Sequence, residues 1–259
     1  MNDKNFKIIF ITDMHLVYDE HFLGIDTFAS FNAVVNHILE FHSDIDCLIV
    51  GGDLVQDQKK ESFDFFKYQI DRLNCPKLFA RGNHDLSDNF FSKLDNLRGK
   101  FSIDNWEIIR IDTYSEGNIF GEVDLSNLQK IIYESNKINH RNFILYMHHN
   151  LFLTNSPWLD VHITKNKEQV LDLISKIKNL KLVINGHIHQ ETLRIYKGIS
   201  FISSPSTGVQ FTSNENNFKL DEINPGYLII QLNENGNNKT VCQRVNGYFG
   251  TPVKNPKTY

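Results

Sequence analysis

The sequence contains no CxxC pair, and its three cysteines, Cys47, Cys75 and Cys242, are odd in number and far apart. A disulfide framework and a thiolate zinc site are thereby excluded. No apolar run approaches the length that spans a bilayer, and the apolar stretch in the first ten residues carries Lys7 and is too short for a secretory signal. The expectation is a cytoplasmic protein with no membrane partner. Positive charge is not in excess either: 27 Lys and Arg against 31 Asp and Glu give a formal net charge of -4. A broad basic face for nucleic acid is therefore not expected, although a local positive site is still allowed. Hydrophobic residues at 41% and charged residues at 22% fit neither a disordered chain nor a fibrous one. At 259 residues, with no internal repeat and no linker, one domain over 1–259 is expected.

What is present is a series of short apolar runs at 7–11, 47–50, 77–80, 143–147 and 181–184, each the length of a buried strand. A sixth run, 106–111, ends at Asp112 and carries no comparable polar cluster. Between them, Phe28, Phe31, Val35 and Ile38, then Phe63, Phe66, Ile70 and Leu73, recur at helical spacing; two further helices are predicted over 125–132 and 168–180. Strand and helix in alternation point to a layered α/β fold with parallel central strands. The last third alternates instead. The runs 192–196 and 200–203 flank Lys197-Gly198, and 227–232 faces 240–245 across an Asn- and Gly-rich turn, so antiparallel strands and a second sheet packed on the first are expected. The long polar stretch 204–226 reads as a functional loop or a disordered one.

The polar residues directly after the five strands are Asp13-Met14-His15, Gly51-Gly52-Asp53, Gly82-Asn83-His84-Asp85, His148-His149 and Gly186-His187-Ile188-His189. In open α/β sheets ligands bind beyond the carboxyl ends of the strands, so the five clusters should converge. Imidazole nitrogens with carboxylate and amide oxygens, and no thiolate, suit divalent Mn, Fe, Co or Zn. If Asp13-x-His15 and His187-x-His189 are extended, each aims two ligands to one side. Asp53 has two oxygens and can bridge two ions, and two ions about 4 Å apart can share a hydroxide and clamp a phosphate. Two divalent charges against Asp13, Asp53 and that hydroxide leave roughly one positive charge, which favours an anionic substrate.

Each motif alone is more often an ordinary turn. Five in this order, each after an apolar strand, are not explained that way. His21, His37, His42, His140 and His162 lack such a setting and read as surface or satisfied core residues.

The set Asp13-x-His15, Gly52-Asp53, Gly82-Asn83-His84-Asp85, His148 and Gly186-His187-x-His189 resembles the five-block pattern of the calcineurin-like metallophosphoesterases. That resemblance implies a four-layer α/β sandwich of two packed mixed sheets flanked by helices. It implies a first metal held by Asp13, His15, Asp53 and His189, and a second by Asp53, Asn83, His148 and His187. His84 would stand beside the phosphate as the catalytic group, with His15, Asp53, Asn83 and His189 also near the substrate. The stretches GDLVQDQ at 52–58, WLDVH at 158–162, GHIHQ at 186–190, SPSTGVQF at 204–211 and NPGY at 224–227 are similar to the bacterial class III 3′,5′-cyclic-AMP phosphodiesterases. Three positions depart from residues common in the family: Arg81, Asn150 and Gly208.

The resemblance implies two divalent ions (Fe, Mn or Zn) and hydrolysis of cyclic AMP to 5′-AMP by a hydroxide bridging the ions, in a monomer or homodimer. Another phosphodiester, a nucleotide pyrophosphate or a phosphomonoester is the alternative substrate, and a non-catalytic scaffold of the same fold is a further alternative. The stretches 204–226 and 155–163 would form the pocket rim, with Trp158, Phe211 and Phe218 either stacking on a base or packing among themselves.

Overall fold

The computed structural model describes residues 5–86, 99–254 and 256. The apolar runs form the middles of two mixed sheets. In the first, β1 (Asn5–Ile11), β2 (Cys47–Val50) and β3 (Lys77–Phe79) are parallel. The hairpin of β12 (Gly226–Asn233) and β13 (Asn238–Arg244) joins the antiparallel side of β1, giving the order β13-β12-β1-β2-β3. In the second sheet β5 (Trp106–Arg110), β6 (Asn142–Met147), β7 (Leu180–Asn185) and β9 (Ile199–Ser203) are parallel. Its edges are antiparallel, β4 (Lys100–Ile103) on β5 and β8 (Thr192–Tyr196) on β9.

Strand periodicity explains why the central runs are apolar at every position. Ile8 and Phe10 of β1 point into the space between the sheets, where they meet Ile49, Trp106, Ile144, Tyr146, Leu182, Ile184 and Ile230. Ile9 and Ile11 point the other way, onto α1 (Thr27–Phe41) and α2 (Lys60–Asp71) through Phe31, Val35, Phe66 and Ile70. The outer face of the second sheet is covered in the same way by α3 (Leu125–Asn136) and α4 (Lys167–Ile174), through Leu128, Ile132, Val170 and Ile174. A strand buried on both faces must be apolar on both. Each large side chain so buried contributes roughly 1.5–3 kcal/mol relative to exposure. Two of these helices start where a carboxylate caps them: Asp26 accepts from Ala29 N, and Asp124 from Ser126 N and Asn127 N.

The α/β sandwich with two packed sheets is the expected fold, and three of its details differ from the sequence reading. The strands of the last third do not make a sheet of their own: β9 extends the second sheet, while β12 and β13 complete the first. The helix predicted over 168–180 ends at Ile174, because the chain must turn at Asn179, φ 59°, to enter β7. The stretch 204–226 contains a small hairpin, β10 (Gln210–Phe211) with β11 (Leu220–Asp221). The hairpin turn between β8 and β9 is as read, with Lys197 and Gly198 both at positive φ.

Candidate functional site

The carboxyl ends of β1, β2, β3, β6 and β7 lie along one rim of the sandwich, and the loops leaving them are tied together by backbone hydrogen bonds. Asp13 N donates to Gly52 O, His15 N to Asp53 O and Leu16 N to Leu54 O, so the first two loops run side by side. Gly186 N donates to His148 O, which joins the loops after β6 and β7. His187 N donates to both oxygens of Asp13, at 3.2 and 2.9 Å, and links the β7 loop to the β1 loop.

These loops are not extended. Asp13, His15, Asp53, His187 and His189 have φ of 55°, 44°, 53°, 68° and 50°. The side-to-side alternation expected of Asp13-x-His15 and His187-x-His189 therefore does not operate, and left-handed backbone aims the side chains instead. Non-glycine residues in that region cost of order 1–3 kcal/mol each and need surroundings that hold them. Close packing of the loops does this and leaves no room at two glycines. A Cβ on Gly82 would fall 2.1 Å from Asp53 Oδ1, and one on Gly52, itself at φ 101°, 2.6 Å from Gly82 N.

The side chains converge in two poles joined by Asp53. At the first, His189 Nε2 stands 3.2 Å from His15 Nε2 and 3.5 Å from Asp13 Oδ1. At the second, His148 Nε2 stands 3.2 Å from Asn83 Oδ1, with His187 close by, ring centroids 5.1 Å apart. Asp53 Oδ2 lies 3.6 Å from His15 Nε2 and 3.2 Å from His148 Nε2, facing both poles. All seven expected ligands are thus brought together, and all are buried.

The hydrogen bonds fix which atom of each ring faces inward. His148 Nδ1–H donates to Gly51 O at 2.7 Å and His189 Nδ1–H to Val209 O at 2.8 Å; His15 Nδ1 pairs with Gln56 Oε1 at 2.9 Å. A carbonyl can only accept, so in the neutral rings Nδ1 of His148 and of His189 holds the proton and Nε2 presents a lone pair to the centre. Around His148 three acceptors then face one another: Nε2, Asn83 Oδ1 and Asp53 Oδ2. Asp53 Oδ2 and both ring nitrogens of His187 are buried without a hydrogen-bond partner among the described residues. Ligand atoms about 2.1 Å from a shared cation stand roughly 3.0–3.4 Å apart, close to the separations of 3.2, 3.5 and 3.6 Å in this centre. The donor set and its orphaned atoms fit divalent cations.

The electrostatics ask for the same charge. Burial opposes protonation of His148, yet the Asp53 carboxylate, its hydrogen bond and Asp13 push this imidazole up to about 9. Burial would raise Asp53, but His148, His84 and His15 hold it well below the usual carboxylate range. Burial holds His15 down to about 3, and burial with His149 and His148 holds His187 well below its ordinary value. His15 and His187, neutral beside ionised carboxylates, are in the state that metal ligation requires, and a cation between the poles would displace the proton that His148 otherwise holds.

His84 sits beside this centre, its ring 4.9 Å from that of His15 and less deeply buried than the seven. Its backbone N–H donates to Asp53 Oδ1 at 2.8 Å, which occupies one carboxylate oxygen and turns the other inward.

Several supporting residues carried no sequence signal of their own. The Asp85 carboxylate accepts from Gly82 N, Asp53 N and Leu54 N and so fixes the loop that presents Asp53. Its place in the Gly-Asn-His-Asp block was the only hint. His149 lies within metal-binding reach of His148 and His187, but its ring nitrogens are engaged by Thr113 Oγ1 and Ile119 O. It backs His187 rather than entering the centre, and the run ending at Asp112 serves the site through Thr113 after all.

The first part of the 204–226 stretch is not a rim. Ser204, Ser206, Thr207, Val209 and Phe211 are buried; Ser206 Oγ donates to Asp13 O, and Thr207 N to Thr12 O. This segment buttresses the first pole from behind, and Gly208 fits because an added Cβ would press on Met14 O at 3.2 Å. Trp158, Phe211 and Phe218 pack on one another, with centroids 4.8–5.5 Å apart, and Phe211 is 1% exposed. Packing is the reading that holds for Phe211, since a buried ring offers no face to a base. Arg81 donates to Asp85 O and lies over the Tyr114 ring at 3.7 Å.

Two layers of helix around two sheets, with an Asp, Asn and His cluster at the strand ends, define a metallophosphoesterase. The pattern described as Calcineurin-like phosphoesterase matches residues 6–191, and the chain belongs to that family. Among curated proteins it is 30% identical over 246 residues to the 3′,5′-cyclic adenosine monophosphate phosphodiesterase CpdA of Haemophilus influenzae, covering 92% of this chain and 90% of that one. It is also 30% identical over 253 residues to a 3′,5′-cyclic-nucleotide phosphodiesterase of Nostoc, covering 95% of each. Among solved structures it resembles a dimetal phosphatase from Danio rerio, with TM-score 0.65, 12% identity and coverage of 93% of this chain and 99% of that one. The purple acid phosphatase PPD1 of yellow lupin superposes with TM-score 0.65 at 14% identity, covering 94% of this chain and 52% of the other. At such identities these two show the fold alone. No helix among the described residues is long and apolar enough to cross a membrane.

Proposed function

We propose that the protein is a dinuclear metal-dependent phosphodiesterase that hydrolyses 3′,5′-cyclic AMP to 5′-AMP. The observation that carries the dinuclear reading is the buried Asp53 Oδ2, which faces His15 at one pole and His148 at the other and stands otherwise without a donor among the described residues. In this reading Asp13, His15, Asp53 and His189 hold one ion, and Asp53, Asn83, His148 and His187 hold the other. Both are divalent Fe, Mn or Zn. The core between two sheets supports one domain over 1–259. The cyclic-nucleotide assignment rests on the likeness to relatives of that activity over more than nine-tenths of the chain.

When bound, the ion pair supplies an activated water and positive charge for the phosphate. The chain's own part is to orient and to move protons. The carbonyl and amide oxygens behind His15, His148 and His189 keep each Nε2 directed inward, so no reorganisation is needed at reaction. His84 borders the phosphate with His15, Asp53, Asn83 and His189. As water adds at phosphorus and the bond to the 3′ oxygen breaks, the His84 imidazolium, favoured against its burial by the bound phosphate's negative charge, gives that oxygen a proton, and the proton released by the attacking water restores it.

Metal-loaded protein compared on cyclic AMP, cyclic GMP, 2′,3′-cyclic nucleotides, an aryl phosphodiester and an aryl phosphomonoester tests the assignment. The expected result is the highest kcat/KM on cyclic AMP, with 5′-AMP as product. Slow turnover of cyclic AMP beside fast turnover of another ester would overturn it.

A further inference from the structure

We infer that His162 is a substrate-contacting residue that hydrogen-bonds an oxygen of the phosphoester held at the metal centre, an inference that rests on the phosphoesterase reading above. The sequence placed it in the WLDVH stretch and the expected rim segment 155–163 but gave it no role of its own. In the fold, however, its ring comes edge-on to that of His187, centroids 6.4 Å apart and planes at 65°, on the side of the second pole. The ring is half-buried, and its Nδ1 is buried with no hydrogen-bond partner among the described residues. A buried polar nitrogen without a partner calls for an explanation.

The segment that carries His162 is braced on several sides. The Asp160 carboxylate accepts from both Thr154 N and Thr154 Oγ1, at 2.6 and 2.7 Å. Ser156 Oγ accepts from Glu215 N, and Leu159 packs with Phe211 and Ile188. His162 N donates to Leu159 O, and Thr164 N to Asn150 O at the end of the His148-His149 loop. So much fixing around a side chain that finds no partner is what preorganisation for a ligand requires. With its proton on Nδ1 this ring needs a hydrogen-bond acceptor that none of the described residues provides, and a phosphate oxygen at the metal centre supplies one.

The rival account is that His162 merely packs against His187. H162F keeps a flat ring and removes both nitrogens, while H162Q keeps a hydrogen-bonding group without the ring. Metal content, KM and the affinity of metal-loaded protein for inorganic phosphate, measured by calorimetry, separate the two accounts. We expect H162F to hold its full metal complement, to bind phosphate about tenfold more weakly and to raise KM by a similar factor, with H162Q between it and the wild type. Unchanged phosphate affinity in H162F, loss of metal in that variant, or no phosphate binding by the wild type would overturn the inference. If the wild type binds phosphate but leaves cyclic AMP intact, the substrate assignment falls and the role of His162 is still decided by the comparison of affinities.

Discussion

The imidazole of His189 lies flat on the phenyl ring of Phe211, centroids 4.0 Å apart and planes 5° apart. The same imidazole is tied at Nδ1 to Val209 O, so one short segment both clamps and orients a ligand at the first pole. Phe211 thus belongs to the site through packing. Truncating it should open a cavity behind His189: we expect F211A to lose about 3 kcal/mol or more in urea unfolding of metal-free protein. Metal affinity should fall as well, and F211L should be milder on both counts.

Asp85 acts through Asp53. Its two oxygens accept from three backbone N–H groups, and an amide in the same place has one oxygen to offer and would set an N–H against a donor. D85N should therefore weaken metal binding about 10–100-fold, although Asp85 touches no ion in this account. A metal titration checks it.

His84 and Asp53 should separate cleanly. D53A removes the atom that faces both poles and should lower metal content together with activity. H84A keeps the backbone N–H that holds Asp53 Oδ1, so metal content should stay at the wild-type level while kcat drops about a hundredfold or more. Loss of metal in H84A would show that the role is misassigned.

The metal-stripped protein should become less stable as pH falls from 7 to 5. His15 and His149 are held down to about 3 in the fold, mainly by burial, against an ordinary value of 6.5. The stability they lend is complete above 6.5 and is lost as pH falls towards 3, because the unfolded chain takes up protons that the folded chain refuses. His148, pushed up to about 9, works in the opposite sense but over a higher range: its contribution is complete below 6.5 and fades as pH rises through 9. Asp85, raised by burial and by Asp53 to about 7, softens the acid loss without cancelling four lowered imidazoles, since His84 and His187 are lowered too. Thermal unfolding in EDTA across this range is the measurement.

Much of this could be read from the chain because apolar periodicity and ligand chemistry both leave local marks. The runs through Ile8, Ile49, Leu78, Ile144 and Leu182 announce strands buried on both faces, and the Asp, Asn and His residues that follow them announce where those strands end. What stayed hidden depends on distant pairings. Nothing near Thr113 says that it will meet His149, and the polar composition of 204–211 conceals a buried segment whose Ser206 hydroxyl serves the Asp13 loop. The expected extended geometry at Asp13 and His187 failed for a similar reason: left-handed backbone at a non-glycine residue is imposed by neighbouring loops. His162 was passed over because its partner ring, His187, lies 25 residues further along the chain.

The most direct test is the metal stoichiometry of protein reconstituted with Mn(II) or Zn(II) and freed of excess ion, read by mass spectrometry of the elements. The account expects about two ions per chain, falling below one in D53A. One ion or none in the wild type, or equal loading in the two proteins, would contradict it.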